Sequence, residues 1–170
     1  MKNVSFRNDV LPLKNILFRM ALRITQRRED AEDIVQETLI RIWNKRDEWD
    51  RIDSIEAYGL KICRNLSVDR TREKGFQHES IDEVQLAPAG AEVNPYEQMM
   101  QNDRLRLVRR IINALPEKQR SCIQLRDFEG KSYKEVAEIL GISEDQVKIN
   151  IFRGRQAIKH KYEQIEGYGL

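Results

Sequence analysis

Apolar residues recur along most of this chain at spacings of three and four, and strict alternation is nearly absent. Residues 9 to 24 set Leu13, Ile16, Leu17, Met20, Ala21 and Ile24 on one helical face. A polar turn, TQRRED, leads into DAEDIVQETLIRIWNKR. There Ala31, Ile34, Val35, Thr38, Leu39, Ile42 and Trp43 form a broad stripe predicted to be buried. Asp33, Gln36, Glu37 and Ile40, at i, i+3, i+4 and i+7, share the opposite, solvated face. After the loop DEWDRIDS a third helix is predicted from Ile55 to Arg72, with Tyr58, Ile62, Cys63, Leu66 and Val68 inward. Lys61, Arg64, Asp69, Arg70 and Arg72 are left outside. Gly59 weakens that helix by about 1 kcal/mol relative to alanine.

The pattern breaks over residues 74–97, where two prolines, two glycines and scattered apolar residues predict a flexible linker. Periodicity resumes at Met99 and runs through Leu105, Val108, Ile111 and Ile112. Pro116, suited to a first helical position, opens another helix that carries Cys122, Ile123 and Leu125 inward. The expected architecture is all-α, with small helical domains at 1–73 and 98–170 on either side of the linker.

The stretch SYKEVAEILGISEDQVKINIFRGRQAIKHK contains two capping boxes, Ser132 with Glu135 and Ser143 with Gln146. Gly141 stands where the first helix must exit through a left-handed residue, and Ala137 is small where two helices cross. Ile142 and Val147 anchor the turn. This is the pattern of a helix-turn-helix. At about 100° per residue, Val147, Ile151, Gly154 and Ile158 make the buried stripe of its second helix. Ile149, Phe152, Arg153 and Gln156 fall on the far side, with Lys148 and Lys159 flanking. Apolar groups there suit thymine methyls, Arg153 and Gln156 suit base edges, and Lys148, Arg155 and Lys159 suit phosphates. The competing arrangement docks Phe152 on a neighbouring helix.

Charge narrows the possibilities. The net charge is only +2, so the whole molecule is no general polyanion binder. Lys148 to Lys161, however, holds five Lys/Arg and no acid. Cys63 and Cys122 read as small core residues and not as a disulfide or metal pair. His78 and His160 have no ligand or acid at metal spacing, and neither a phosphate-binding glycine loop nor a nucleophile elbow occurs. Asp30, Glu32 and Asp33 are explained by the preference of helix N-termini for acids. No catalytic residue, metal site, cofactor or small-molecule substrate is expected. No signal-peptide core or membrane-length apolar run is present, so the chain reads as cytoplasmic with no membrane insertion.

AEDIVQETLIRIW, AYGLKICRNLSVDRTR and LPEKQRSCIQLRDFEGKSYKEVAEILGISEDQVKINIFRGRQAI, in that order, resemble the extracytoplasmic-function sigma factors of bacterial RNA polymerase. The resemblance implies a sigma factor that directs promoter recognition, melting and transcription initiation. It implies that Asp33, Gln36 and Glu37 dock on the beta-prime clamp helices of core polymerase. It implies a −10 reader in which the loop carrying Arg51, Asp53 and Ser54 captures an unstacked base. Tyr58 would be the aromatic partner and Asn65 the pocket residue, with Lys61, Arg64 and Arg72 on the DNA backbone. Tyr58 fits a core position equally well. Residues 98–170 become the −35 reader, with LPEKQRSCIQL near the beta flap, and an anti-sigma factor becomes an expected partner. Gly59 stands where the family usually has leucine. Ile149 and Asn150 replace the small and basic residues common in the recognition helix.

Magnitudes favour an accessory protein. Opening about ten base pairs costs ~14 kcal/mol at ~1.4 per stacking step, whereas capturing one flipped base involves only a few. Two small domains cannot hold a bubble open unaided. The alternative is a stand-alone helix-turn-helix regulator, which would bind duplex DNA tightly by itself.

Overall fold

The computed structural model describes the backbone of residues 3–74 and 95–168, and side chains of 3–73 and 102–167. The described residues contain helices and turns but no strand: α1 (Lys14–Thr25), α2 (Arg28–Asn44), α3 (Ile55–Lys74), α4 (Pro95–Asn113), α5 (Glu117–Ile123), α6 (Tyr133–Leu140) and α7 (Glu144–Tyr168). Most of the expected linker lies outside the described residues. Its last three positions, 95–97, are already helical, with Pro95 where its missing N–H costs nothing.

The first helix begins later than its apolar spacing suggests. Phe6–Val10 forms a wide helical turn and Leu11–Leu13 a tight one, so regular α-helix starts at Lys14. Leu17, Met20, Ala21 and Ile24 of α1 then pack on Ala31, Ile34 and Val35 of α2 and on Leu60 and Cys63 of α3. Gln26 ends α1 in a left-handed conformation at φ 57°, strained for a residue with a Cβ. Its side chain is anchored to the Asn113 carbonyl at 2.7 Å.

The stripe predicted on α2 is buried except at its C-terminal end. Leu39 is half-buried and Trp43 is 44% exposed. The buried indole is Trp49, six residues on in a segment expected to be loop. The tight turn Arg46–Arg51 folds it beneath α2, where Nε1 donates to the Ile42 carbonyl at 2.9 Å. Trp49 joins Val10 and Ile42 in a second small core, and Trp43 is left to pack edge-on against it and Phe6.

α5 follows Pro116, which takes the extended N-cap position and not the first helical one. Cys122, Ile123 and Leu125 point inward as their spacing requires. α6 and α7 form the helix-turn-helix. Ser132 Oγ accepts from the Glu135 N–H, and Ser143 and Gln146 exchange bonds at 3.1 Å each. Gly141 sits at φ 66°, and its N–H and that of Ile142 both turn back to the Ala137 carbonyl. Gly154 lets α7 touch α5: a Cβ there would lie 3.1 Å from Ile123 Cγ1.

The two helical units do not stand apart. Cys122, Leu125, Val136 and Ala137 belong to the same apolar cluster as Leu17, Met20 and Cys63, with α5 against α1 and α6 against α3. Linear spacing gives no hint of this shared core, because its partners lie on opposite sides of the linker.

Candidate nucleic-acid interface

α7 is built to present one face. Glu144 and Asp145 suit its positive N-terminus, and Val147, Ile151 and Gly154 are buried. On the other side Phe152 is 64% and Ile149 47% exposed, and Arg153 and Gln156 are also exposed. At that exposure Phe152 is not buried on a neighbouring helix among the described residues. Lys148 is exposed, with Nζ 5.7 Å above the Tyr133 ring, which also carries the Arg126 guanidinium at 4.5 Å. Asn150 turns its amide back to the Gln146 carbonyl at 2.8 Å. Lys159 is exposed on the rim of an apolar groove of about 430 Å³. Val108, Ile112, Ile123, Phe128, Ile158 and Tyr162 line it.

Arg155 differs from the rest of that face. Its guanidinium forks onto Asp127, at 3.1 Å from Nε and 2.5 Å from Nη2, and that bond raises its already high pKa. A side chain assigned to phosphate is here held by a carboxylate. Asp127 and Tyr133, which shape the basic face, carry no sequence signal tying them to residues of α7.

α3 is occupied on more sides. Ser54 caps it, its hydroxyl accepting from the Ala57 N–H at 3.1 Å. Arg51 and Asp53 are exposed just before it, and Lys61, Asn65 and Arg72 are exposed along it. Tyr58 is half-buried against the Val10–Ile42–Trp49 core. Arg64, expected outside, is drawn into a two-bond pair with Glu117 at 3.1 and 2.9 Å, its side chain only 15% exposed. Arg70, also expected outside, reaches the buried Asp30 at 3.1 Å. In both cases a carboxylate on another helix competes successfully with water. Gly59 faces Ile42 and Leu17, where an added Cβ would come within 3.0 Å of Ile42 Cδ1.

The polar face of α2 is solvated. Asp33, Gln36 and Glu37 are exposed beside Ile40, 53% exposed, with Arg70 3.8 Å from Asp33 and Arg41 3.1 Å from Glu37. Burial pushes the Cys63 and Cys122 thiols up to about 12, so both stay protonated and unreactive. Among the described residues no His, Cys, Asp or Glu cluster could hold a metal ion, and no helix is long and apolar enough to cross a membrane.

Residues 10–77 match the family described as Sigma-70 region 2, and residues 105–158 match Sigma-70, region 4. The chain is 30% identical over 144 residues to the ECF RNA polymerase sigma-E factor of Escherichia coli (strain K12), covering 80% of this chain and 75% of that one. The chain belongs to the ECF RNA polymerase sigma factors. It is also 31% identical over 145 residues to ECF RNA polymerase sigma factor SigE of Mycolicibacterium smegmatis, covering 84% of this chain but only 56% of that longer relative. Among solved structures, a sigma factor RpoE crystallised with the anti-sigma factor NepR from Bartonella quintana has the same fold. The TM-score is 0.72 at 24% identity, covering 93% of this chain and 96% of that one. In this sigma factor the region 2 match contains the solvated α2 face and all of α3. The region 4 match ends at Ile158, ten residues before the end of α7.

Proposed function

We propose that this sigma factor joins core RNA polymerase and gives it promoter specificity, acting in the cytoplasm. Residues 1–73 serve as the unit for polymerase and the −10 element, and residues 98–170 as the unit for the −35 element. Asp33, Gln36 and Glu37 dock on the beta-prime clamp helices. Arg51, Asp53, Ser54, Tyr58, Lys61, Asn65 and Arg72 handle the −10 strand, joined by Arg64 once it is released from Glu117. Lys148, Ile149, Phe152, Arg153, Gln156 and Lys159 read the −35 duplex. Ile123, in the stretch assigned to the beta flap, lines an apolar groove that offers a partner segment a seat. An anti-sigma factor is a further proposed partner.

The observation that carries this reading is the bare face of α7. Two large apolar side chains stand in water between cations, which a monomer gains nothing by exposing and a thymine-containing groove would cover. The test is run-off transcription with core polymerase over a pool of genomic promoters. Start-site selection by the added chain is expected. A chain that footprints duplex DNA without polymerase, or that adds no start sites with it, overturns the proposal. Reversing charge at Asp33 and Glu37 is expected to weaken polymerase binding with helicity intact, and wild-type binding by that variant would remove them from the interface.

A further inference from the structure

The outward face of α7 begins before Lys148. Counted at ~100° per residue from the buried stripe of Val147, Ile151 and Gly154, four residues fall within a strip about 60° wide on the opposite side. They are Asp145, Ile149, Phe152 and Gln156, and all four are exposed. At 1.5 Å per residue the strip is ~16 Å long, which is the height of about five base pairs. Its first member is a carboxylate, set in a row of apolar and amide side chains.

Asp145 is not needed to finish the helix. The Ser143 hydroxyl accepts from the Gln146 N–H and Gln146 Oε1 accepts from the Ser143 N–H, both at 3.1 Å, so the capping box closes without it. Glu144 already places a negative charge at the positive end of α7, and it lies ~100° round the helix from Asp145, away from the strip. Among the described residues no cation holds the Asp145 carboxylate. Lys148, on the next turn, leans over the Tyr133 ring with Nζ at 5.7 Å, and Arg155 pairs with Asp127.

An ionised carboxylate only accepts hydrogen bonds. In the major groove guanine meets it with two acceptors and thymine with one, whereas adenine sets a donor beside an acceptor. Cytosine alone offers its N4 donor with no acceptor next to it on the same base. A carboxylate pressed against an acceptor edge loses its water and gains no partner. In a helix-turn-helix the N-terminal residues of the second helix are the ones that reach base edges. We propose that Asp145 is a specificity-determining residue for the −35 duplex, accepting from N4 of a cytosine and excluding guanine at that position. The proposal rests on the −35 reading of α7 and adds to it the kind of base that the start of the helix selects. Ile149 lies ~6 Å further along the same strip, so the thymine methyl it covers belongs within about two base pairs of that cytosine.

The test is selection of bound duplexes from a randomised −35 library by core polymerase carrying the full chain, read by sequencing. The starting chain is expected to favour cytosine over guanine at one position by ~5–150-fold, the range of one good side-chain–base pair. Asp145→Ala is expected to flatten that position and leave the others as they were. Asp145→Asn keeps the shape but sets a donor beside the acceptor, so the preference there is expected to move to adenine. Circular dichroism and the melting temperature check that each variant keeps its helices. A role confined to the helix dipole would weaken binding to every sequence alike and move no preference. Absence of a cytosine preference in the starting chain, an unchanged profile in Asp145→Ala, or a uniform loss across all sequences overturns the proposal. Phe152→Ala separates that failure from failure of the −35 reading. If Phe152→Ala redistributes the selected bases and Asp145→Ala does not, α7 reads the duplex without Asp145. If neither variant alters the selection, the −35 reading itself fails and this proposal falls with it.

Discussion

α7 and α3 are the two helices given to DNA in this reading, and they keep their surfaces in different ways. α7 touches the protein with one stripe, Val147, Ile151 and Gly154, and leaves Ile149, Phe152, Arg153 and Gln156 to solvent. α3 packs on α1, α2 and α6 together, so less of its circumference is free. Lys61, Asn65 and Arg72 stay outside, while Arg64 and Arg70 are taken by carboxylates of other helices and Tyr58 is half absorbed into a core. A helix at the rim can be specialised for its ligand. A central helix must share residues between holding the protein together and reading DNA, which makes its binding sensitive to the conformation of the rest.

The largest effect separating the two helices belongs to the core they share. Leu125 is fully buried between the units, and Leu125→Ala is expected to cost ~2–5 kcal/mol in urea unfolding, with both units lost in one transition. Two resolved transitions would mean that the common cluster is not cooperative. Next, Gly59→Leu drives a side chain into Ile42, and ~1–3 kcal/mol of destabilisation is expected in the same assay. An unchanged midpoint would show that α3 can slide off α2. Of about the same size, but read in binding, Arg153→Ala on α7 is expected to cost ~1–3 kcal/mol of base discrimination with little change in stability. Unaltered preference across a randomised −35 library would take Arg153 off the base edges.

The same contrast explains what could be read in the sequence. The helix-turn-helix was legible because its determinants are local: two capping boxes, each joining residues three apart, a glycine at the exit, a small residue at the crossing. The buried stripe of α2 was legible over most of its length from periodicity. Trp43 and Trp49 exchanged places because a tight turn after α2, invisible to helical spacing, tucks the later indole under. Arg64 was misjudged for a different reason. On its own helix it is an outward cation, and only Glu117, 53 positions away, makes it an inward one. Arg19 and Glu129 lie 110 apart, and nothing short of the folded chain joins them.

The smallest effect concerns the one residue of α7 that behaves like α3. Arg155 is tied to Asp127, but both side chains are well exposed, at 52% and 33%, so the pair contributes only ~0–1 kcal/mol to stability. Asp127→Asn keeps the shape and one acceptor oxygen while removing the charge, and the melting temperature is expected to stay nearly unchanged. The guanidinium is then free to take a phosphate. For polymerase carrying this variant, the slope of log affinity against log salt on a −35 duplex is expected to steepen by ~0.9, the signature of one added phosphate contact. A slope equal to wild type leaves two explanations, separated by Arg155→Ala. If that variant flattens the slope, Arg155 already reaches DNA despite Asp127, and the pair seen in the free chain opens at no measurable cost. If it does not, Arg155 is a brace between α7 and the turn after α5, and the phosphate contacts of the rim helix fall to Lys148 and Lys159.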